Sequence, residues 1–163
     1  MPSPESNRFC VTDLLATPTI LLNLTSGDRN SVLTELAGAI PELKNHPDKR
    51  NILLAALRER EELHSTGIGD GVALPHARTA LSGLVSRPVI VFGRHSKGII
   101  YGAIDGRPVQ LFFLLVTTSV TQHLQILARI SRLLRGAPLR QKLLAADRPE
   151  QVLVLIREIE QSM

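Results

Sequence analysis

Apolar side chains recur along this chain with two different spacings, which separate its helices from its strands. Between residues 32 and 40 they fall at three- and four-residue steps, a pattern typical of one face of a helix. A continuous apolar run over residues 89–92, and a segment over residues 109–116 that is apolar except for Gln110, instead predict strands covered on both faces. Because the run at 109–116 is the most apolar, we expect its strand in the centre of the sheet.

Caps, breaks and turn residues predict the remaining elements. Asp48 is expected to cap a second helix, and Ser119 or Thr121 a long third one, because short polar side chains accept the free backbone N–H groups there. Pro149 lies in the first turn of a last helix. The further predictions are a helical turn at 11–15, strands at 19–24 and 99–104, a break at 93–98, and helices at 48–63, 119–135 and 147–159.

This order of elements indicates the α/β (α+β) class, with a mixed sheet that carries helices on both faces. At 163 residues the chain suits one compact domain, which we expect over residues 11–163 after a flexible leader at residues 1–10. Apolar residues make up 44% of the chain but aromatic ones only 3%, so we expect an aliphatic core.

Overall composition excludes several classes of protein. The single cysteine, Cys10, rules out an internal disulfide and fits a reducing compartment. No secretory signal is visible, and the longest later apolar run, residues 111–116, is too short to span a bilayer, so we expect a cytoplasmic protein without membrane insertion. The net charge of +4 suits an acidic protein partner; scattered basic residues and few aromatic ones argue against nucleic acid.

The candidate chemistry is concentrated in residues 60–78, which read R-E-E-L-H-S-T-G-I-G-D-G-V-A-L-P-H-A-R. Three alternating glycines let the backbone turn and let other groups approach closely. Pro75 fixes its own φ and biases Leu74 towards an extended conformation, so His76 leaves a stiffened backbone. A histidine that carries a phosphoryl group needs this rigidity, because one ring nitrogen must stay in line with the phosphorus.

Two further side chains, Arg60 and His123, are candidates for a role in the chemistry. Arg60 continues the apolar stripe of Leu53 and Leu57, so its guanidinium either lies along the rim of the core or points into a cleft, where its planar fork could hold phosphate oxygens. His123 falls in the first turn of the long helix and faces inwards. It is either a hydrogen-bonded core histidine or a neutral imidazole placed to contact an anion at the helix N-terminus.

The other histidines predict no second site. His46 lies in a polar loop, His64 directly precedes the glycine-rich segment, and His95 is expected in a loop where it could help to bind a partner. The spacing of the histidines matches no zinc motif. The segment G-I-G-D-G lacks the lysine of a phosphate loop and the spacing of a dinucleotide-binding motif, so we expect neither a metal nor a cofactor.

The run S-T-G-I-G-D-G-V-A-L-P-H, preceded by Arg60 and Glu61, resembles the enzyme IIA domains of the fructose, mannitol and nitrogen-regulatory class in the bacterial phosphoenolpyruvate-dependent phosphotransferase system. Residues 103–116, A-I-D-G-R-P-V-Q-L-F-F-L-L-V, are a second match, and the resemblance covers about residues 10–160. It implies a three-layer α/β/α sandwich. It also places His76 where the family's histidine accepts a phosphoryl group from the phosphocarrier protein HPr or its nitrogen-branch homologue.

The resemblance implies roles for the neighbours of His76. Arg60 stands at the family's arginine beside the active histidine. His123 matches the second active-site histidine, which orients or hydrogen-bonds the phosphoryl group without carrying it. We also expect a small anion nest from the backbone N–H groups of four residues: Thr66, Gly67, Ile68 and Gly69.

These features predict a phosphotransferase, a histidine phosphocarrier that binds regulated target proteins according to its phosphorylation state. A chain without fused enzyme IIB or IIC domains favours the nitrogen-regulatory branch; the alternative is a sugar-transport component that passes the phosphoryl group to an enzyme IIB. The residues after His76 are Ala77-Arg78 where the family commonly has Gly-Lys, so partner fit or transfer rate could differ. A rival is a purely regulatory binding module, like the cytoplasmic domain of the band 3 anion transporters, but the joint presence of Arg60, His76 and His123 argues against it.

Overall fold

The computed structural model describes residues 9–81 and 83–163, so residues 1–8 of the predicted leader lie outside the described residues. Short 3₁₀ turns occur at Val11–Leu14, Thr17–Thr19 and Pro41–Leu43. The strands are β1 (Ile20–Leu21), β2 (Gly67–Gly69), β3 (Val72–Ala73), β4 (Val89–Ile99) and β5 (Val109–Val116). The helices are α1 (Arg29–Ala37), α2 (Pro47–Leu63), α3 (Val120–Leu133), α4 (Ala137–Ala145) and α5 (Pro149–Ser162).

The strands form one mixed sheet in the order β1-β4-β5-β3-β2. β4 and β5 pair antiparallel, as do β2 and β3, whereas β1 pairs parallel with β4 and β3 parallel with β5. β5 therefore lies in the centre of the sheet, as its apolar run predicted. Its bounds also agree with the prediction.

Alternate residues of β5 point into two separate hydrophobic cores. Phe112, Leu114 and Val116 pack in a cluster with the buried side chains of α1 and α2. Leu111, Phe113 and Leu115 pack on the other face with those of α3, α4 and α5. This alternation is the period-2 geometry of a strand, and it confirms the three-layer arrangement with helices on both faces.

Helix caps confirm some predictions and correct one. Ser119 caps α3, since its side chain accepts the backbone N–H of Gln122 at 3.2 Å. The N-cap of α2 is His46, and the predicted cap Asp48 is wrong, because it lies inside the first turn. Pro47 explains the difference, because its fixed φ and missing N–H suit the first helical position, so the helix begins earlier in the chain than predicted.

The predicted break at residues 93–98 is confirmed in part: β4 runs from Val89 to Ile99, but its pairing with β5 shifts register between Arg94 and Ile99, and Gly98 has a positive φ of 75°. Gly93 serves close packing there. A Cβ at this residue would lie 2.6 Å from Leu36 Cδ2 and 2.8 Å from Leu24 Cδ1. A glycine in a strand can mark either a bend or a close approach of another group, and the sequence does not distinguish the two.

Three other boundaries differ from the predictions. The strand expected at 19–24 is only two residues long, and the one expected at 99–104 lies outside β4 and β5 except for Ile99. The helix expected to end near residue 135 is followed by a second one, α4, which begins after Gly136 with a proline in its first turn. Among the described residues, no helix has both the length and the apolar character needed to cross a membrane.

Candidate functional site

His76 lies beside the centre of the sheet, just past β3. It forms an isolated parallel bridge with Leu115 of β5, where the Leu115 N–H donates to the Pro75 carbonyl at 2.9 Å. The ring nitrogen Nδ1 of His76 lies 2.6 Å from the carbonyl oxygen of Leu74. Because a carbonyl oxygen can only accept, Nδ1 carries the proton and donates it there. Nε2 therefore keeps its lone pair.

His123 lies against His76, as the resemblance to the enzyme IIA domains implied. The two ring centroids are 5.1 Å apart, with the rings tilted by 59°. His123 is in the first turn of α3 and only 7% exposed, and its Nδ1 lies 3.1 Å from the hydroxyl oxygen of Thr117. Its inward position follows from the amphipathic pattern of α3, whose buried residues share one face.

Burial lowers the pKa of both histidines below the ordinary value of 6.5. For His76 the accepting carbonyl of Leu74 opposes this shift, the charge of Arg60 adds to it, and the charge of Glu61 opposes it. For His123 the second cause of the lowered pKa is His76 itself. Both rings are therefore neutral at neutral pH, which is the state in which an imidazole nitrogen is nucleophilic.

Arg60 is half-buried near the C-terminus of α2, where its guanidinium nitrogen Nη1 donates to the carbonyl oxygen of His64 at 2.6 Å. Glu61, four positions after Leu57, is the buried residue that continues the stripe of Leu53 and Leu57, and the half-buried Arg60 lies next to it in the helix. Arg60 acts on His76, since its charge lowers the pKa of that ring.

Glu61 is the buried charged residue that the sequence reasoning missed. Its carboxylate accepts the Thr66 N–H at 2.9 Å and the Tyr101 hydroxyl at 2.6 Å, and it accepts the Thr66 hydroxyl as well. Burial, and after it the charge of Glu61, raise the pKa of Tyr101. The sequence did indicate this burial, because Leu53, Leu57 and Glu61 follow one another at four-residue steps and therefore lie on the same face of the helix.

The glycine-rich segment folds as a hairpin of β2 and β3. Gly67 is needed for close approach, since a Cβ there would lie 2.7 Å from Ala103 Cβ. The N–H of Thr66 donates to Glu61, and that of Gly67 donates to the Ser65 hydroxyl at 3.0 Å. Two of the four N–H groups expected to form an anion nest therefore already have acceptors within the protein.

The remaining histidines do not join this pair of rings. His46 is the N-cap of α2, and His64 is the exposed residue that ends the same helix. His95 lies within β4 rather than in the loop that the sequence predicted. Among residues 9–81 and 83–163, no group of three or more His, Cys, Asp or Glu side chains is arranged to hold a metal ion.

Ala77, which follows His76, is buried rather than presented to a partner. It lines a small recess together with Leu53, Thr117 and His123. Arg78 is exposed. Of the two residues that depart from the resembled family, only the arginine lies on the outer surface.

Known proteins resemble this chain in sequence and, for a solved structure, in fold. The chain is 35% identical over 150 residues to the fructose-specific EIIABC component of the PTS system of Bacillus subtilis, which covers 91% of this chain and 23% of that longer protein. It is 35% identical over 138 residues to the nitrogen regulatory protein of Bradyrhizobium diazoefficiens, over 83% of this chain and 87% of that protein. The crystal structure of the nitrogen regulatory protein IIA-Ntr from Neisseria meningitidis matches it with a TM-score of 0.78 at 27% identity, over 90% of this chain and 98% of that one.

The match to a described family covers almost the whole chain. Residues 13–159 match the family described as "Phosphoenolpyruvate-dependent sugar phosphotransferase system, EIIA 2". This range contains every element of the sheet, both histidines of the pair and the hairpin beside them. The chain therefore belongs to the EIIA 2 family of the phosphoenolpyruvate-dependent sugar phosphotransferase system.

Proposed function

We propose that this protein is a histidine phosphocarrier, in which Nε2 of His76 accepts a phosphoryl group from the phosphohistidine of HPr or its nitrogen-branch homologue. The observation that supports this most strongly is the 2.6 Å contact between Nδ1 and the Leu74 carbonyl. It fixes the tautomer that leaves Nε2 nucleophilic. The lowered pKa of His76 keeps the ring neutral at neutral pH, so the lone pair is available.

The transfer exchanges one phosphorus–nitrogen bond for another. Nε2 of His76 forms a bond to the phosphorus while the donor's bond to phosphorus breaks, and that electron pair returns to the donor ring nitrogen. If the donor ring enters protonated at its other nitrogen, it leaves as neutral imidazole. The Nδ1 proton of His76 stays on the ring, hydrogen-bonded to Leu74. Such a step depends mainly on positioning and charge stabilisation.

Arg60 and His123 are proposed to stabilise the phosphoryl oxygens. One guanidinium nitrogen of Arg60 donates to the His64 carbonyl oxygen, so other N–H groups of the guanidinium can donate to the phosphoryl oxygens. If the Thr117 hydroxyl donates to Nδ1 of His123, then Nε2 of His123 carries a proton that can be donated to a phosphoryl oxygen. Of the four residues proposed for an anion nest, Thr66 and Gly67 donate to acceptors within the protein, and Ile68 and Gly69 lie in β2, where Gly69 pairs with Val72 of β3. We therefore propose only a minor part for this backbone in holding the anion.

The first experiment is incubation with phosphoenolpyruvate, enzyme I and HPr, or with the nitrogen-branch counterparts, followed by intact-mass analysis. We expect a gain of about 80 Da, one phosphoryl group, that is lost in acid. His76→Ala should show no gain, whereas the matched control His46→Ala should gain the group like the unchanged protein. An acid-labile gain on His76→Ala, or none on the unchanged protein with either donor set, contradicts the proposal. The second result would favour a purely regulatory binding module.

We further propose that the phosphoryl group acts as a signal that controls binding to regulated target proteins, as the similarity to nitrogen regulatory proteins suggests. The similarity to a fructose-specific component supports a second candidate, a sugar-transport component that passes the group to an enzyme IIB. Mixing the phosphorylated protein with a fructose-type enzyme IIB separates the two. Rapid loss of phosphate to the enzyme IIB supports sugar transport, and a phosphate that stays on His76 supports signalling.

A further inference from the structure

Glu61 is a buried carboxylate for which the proposed transfer step has no use. It is 3% exposed, and its three recorded donors, the Thr66 N–H, the Thr66 hydroxyl and the Tyr101 hydroxyl, are all neutral. Taking a carboxylate out of water is costly, and neutral donors compensate only part of that cost. A residue that is unfavourable for stability in this way is a candidate for a role in the site beside it.

A chain of hydrogen bonds leads from Glu61 to the ring of His76. The carboxylate accepts the Thr66 N–H at 2.9 Å, and the Thr66 carbonyl accepts the Leu74 N–H at 3.0 Å. The Leu74 carbonyl then accepts the Nδ1 proton of His76 at 2.6 Å. Two residues thus connect the buried carboxylate to the imidazole that is proposed to carry the phosphoryl group.

These hydrogen bonds fix the position of each successive group, and they do not carry polarisation from Glu61 to His76. The N–H and C=O of one residue belong to different peptide groups, so no single amide is polarised along the whole chain. Each bond instead fixes where the next acceptor lies. The Leu74 carbonyl precedes Pro75, which restricts the backbone of Leu74 further. An anchored Thr66 therefore fixes the carbonyl that selects the tautomer of His76.

From this geometry we propose that Glu61 is a positioning residue, which holds His76 in its Nδ1–H tautomer through Thr66 and Leu74. The effect of Glu61 on phosphoryl transfer rests on the proposed role of His76 as phosphoryl acceptor. The test of the proposal does not rest on that role, because the ring can be observed in the unphosphorylated protein. Glu61 itself touches no reacting atom.

The charged and titratable groups that act on the His76 ring are Arg60, Glu61 and His123. Arg60 lowers the pKa of His76 and Glu61 raises it, although the two are adjacent in α2. His123 faces the ring from α3, and its own pKa is lowered by burial. Removing the charge of Glu61 should therefore lower the pKa of His76, whereas a shift in tautomer should follow the loss of position.

The test is an imidazole ¹⁵N and ¹H NMR titration of Glu61→Gln. We expect the pKa of His76 to fall by about half a unit or more, since an unscreened charge nearby is removed. We also expect part of the neutral ring to move to the Nε2–H tautomer, which the two ring nitrogen shifts report directly. An unchanged tautomer would overturn the proposal whether or not the pKa moves, because a change in pKa alone would report only the lost charge.

Glu160→Gln is the matched control. Within residues 9–81 and 83–163, Glu160 is the second buried glutamate, 7% exposed, and it accepts the N–H groups of Val11 and Thr12 at 2.8 and 3.0 Å. It differs in having a cation, Arg129, at 2.6 Å. This variant should leave the tautomer of His76 as in the unchanged protein. An equal shift in both variants would mean a general loss of packing, and it would also overturn the proposal.

Glu61→Asp separates position from charge and serves if Glu61→Gln does not fold. The shorter carboxylate keeps its charge but withdraws from the Thr66 N–H. We expect a tautomer shift with a pKa closer to that of the unchanged protein; an unaltered tautomer in Glu61→Asp would overturn the proposal.

Phosphoryl transfer gives a second readout once the carrier role is established. Because small misplacements of a reacting group are costly, Glu61→Gln should lower the maximal transfer rate by about 10- to 100-fold. The KM for the donor protein should not change, since the buried Glu61 cannot contact it. A raised KM with an unchanged maximal rate contradicts a positioning role. If the unchanged protein accepts no phosphoryl group, the carrier proposal fails and the ring measurements still decide this one.

Discussion

Gly67→Ala tests whether close packing at the hairpin, rather than backbone flexibility, explains the first glycine of the motif. The added Cβ would lie 2.7 Å from Ala103 Cβ and 2.8 Å from Ala103 Cα. Non-bonded carbon atoms normally approach to about 3.5–4.0 Å, so the two segments must separate by roughly 1 Å. The φ of Gly67 is not in the positive region, so backbone strain does not contribute.

The expected magnitude combines two opposite effects. Forcing an extra methyl group into a packed site costs about 1–3 kcal/mol. Alanine also restricts the unfolded chain, which stabilises the folded state by about 0.4–1 kcal/mol. We therefore expect the free energy of unfolding to fall by about 1–2 kcal/mol, since the clash involves a backbone atom and cannot be relieved by rotating a side chain.

The assay is urea unfolding at neutral pH, with Gly27→Ala as the matched control. A Cβ at Gly27 would have nothing within 4 Å, and its φ is also outside the positive region, so this variant should be neutral or slightly more stable. Adding Ala103→Gly to Gly67→Ala removes the nearer of the two contacts and should restore part of the loss. If Gly67→Ala is as stable as Gly27→Ala, the packing explanation is refuted.

Three further predictions concern charge and protonation. Burial lowers the pKa of His76 and His123 below 6.5 in the folded protein, so the unfolded chain binds more protons at mildly acidic pH. The free energy of unfolding should therefore be highest above about pH 6.5 and fall as the pH drops below it. In urea unfolding between about pH 5 and pH 7, His76→Gln should make this dependence on pH less steep. Arg60→Lys keeps the charge but loses the planar fork, so single-turnover transfer followed by mass analysis should be slower, with the free energy of unfolding within about 0.5 kcal/mol. Glu160→Ala leaves Arg129 without its carboxylate and should reduce the free energy of unfolding by about 3–5 kcal/mol in the same assay; a loss below about 1 kcal/mol would show that the pair is effectively solvated.

The sequence predicted the centre of this fold better than its edges. β5 was found with its bounds because a segment of eight residues that is apolar except for Gln110 has few alternatives to a buried strand. The cap of α3 and the inward face of His123 followed from local chemistry in the same way. The inward position of His123 was therefore predicted from its immediate neighbours, whereas its place beside His76 was implied only by the resemblance to the enzyme IIA domains.

The elements that the sequence did not predict depend on contacts between distant residues. Gly93 looks like a break until α1 is packed against it, and the two-residue β1 is defined by its pairing with Phe92 and Gly93. Glu61 needs partners that lie 5 and 40 positions away in the chain, Thr66 and Tyr101. Contacts of this kind override local propensity, and they cannot be inferred from the pattern of neighbouring residues in a single sequence.

The loop that follows β4 has a consequence for how the protein behaves at high concentration. β2 is one edge of the sheet, and an unpaired edge is a template for a strand from another molecule. The Ile104 N–H donates to the Gly67 carbonyl at 3.3 Å, and the side chain of Asp105 accepts the Asp70 N–H at 2.9 Å, so this loop occupies polar groups at and beside that edge. The opposite edge, β1, offers only two residues. Strand-to-strand aggregation of the folded molecule is therefore disfavoured at both ends of the sheet.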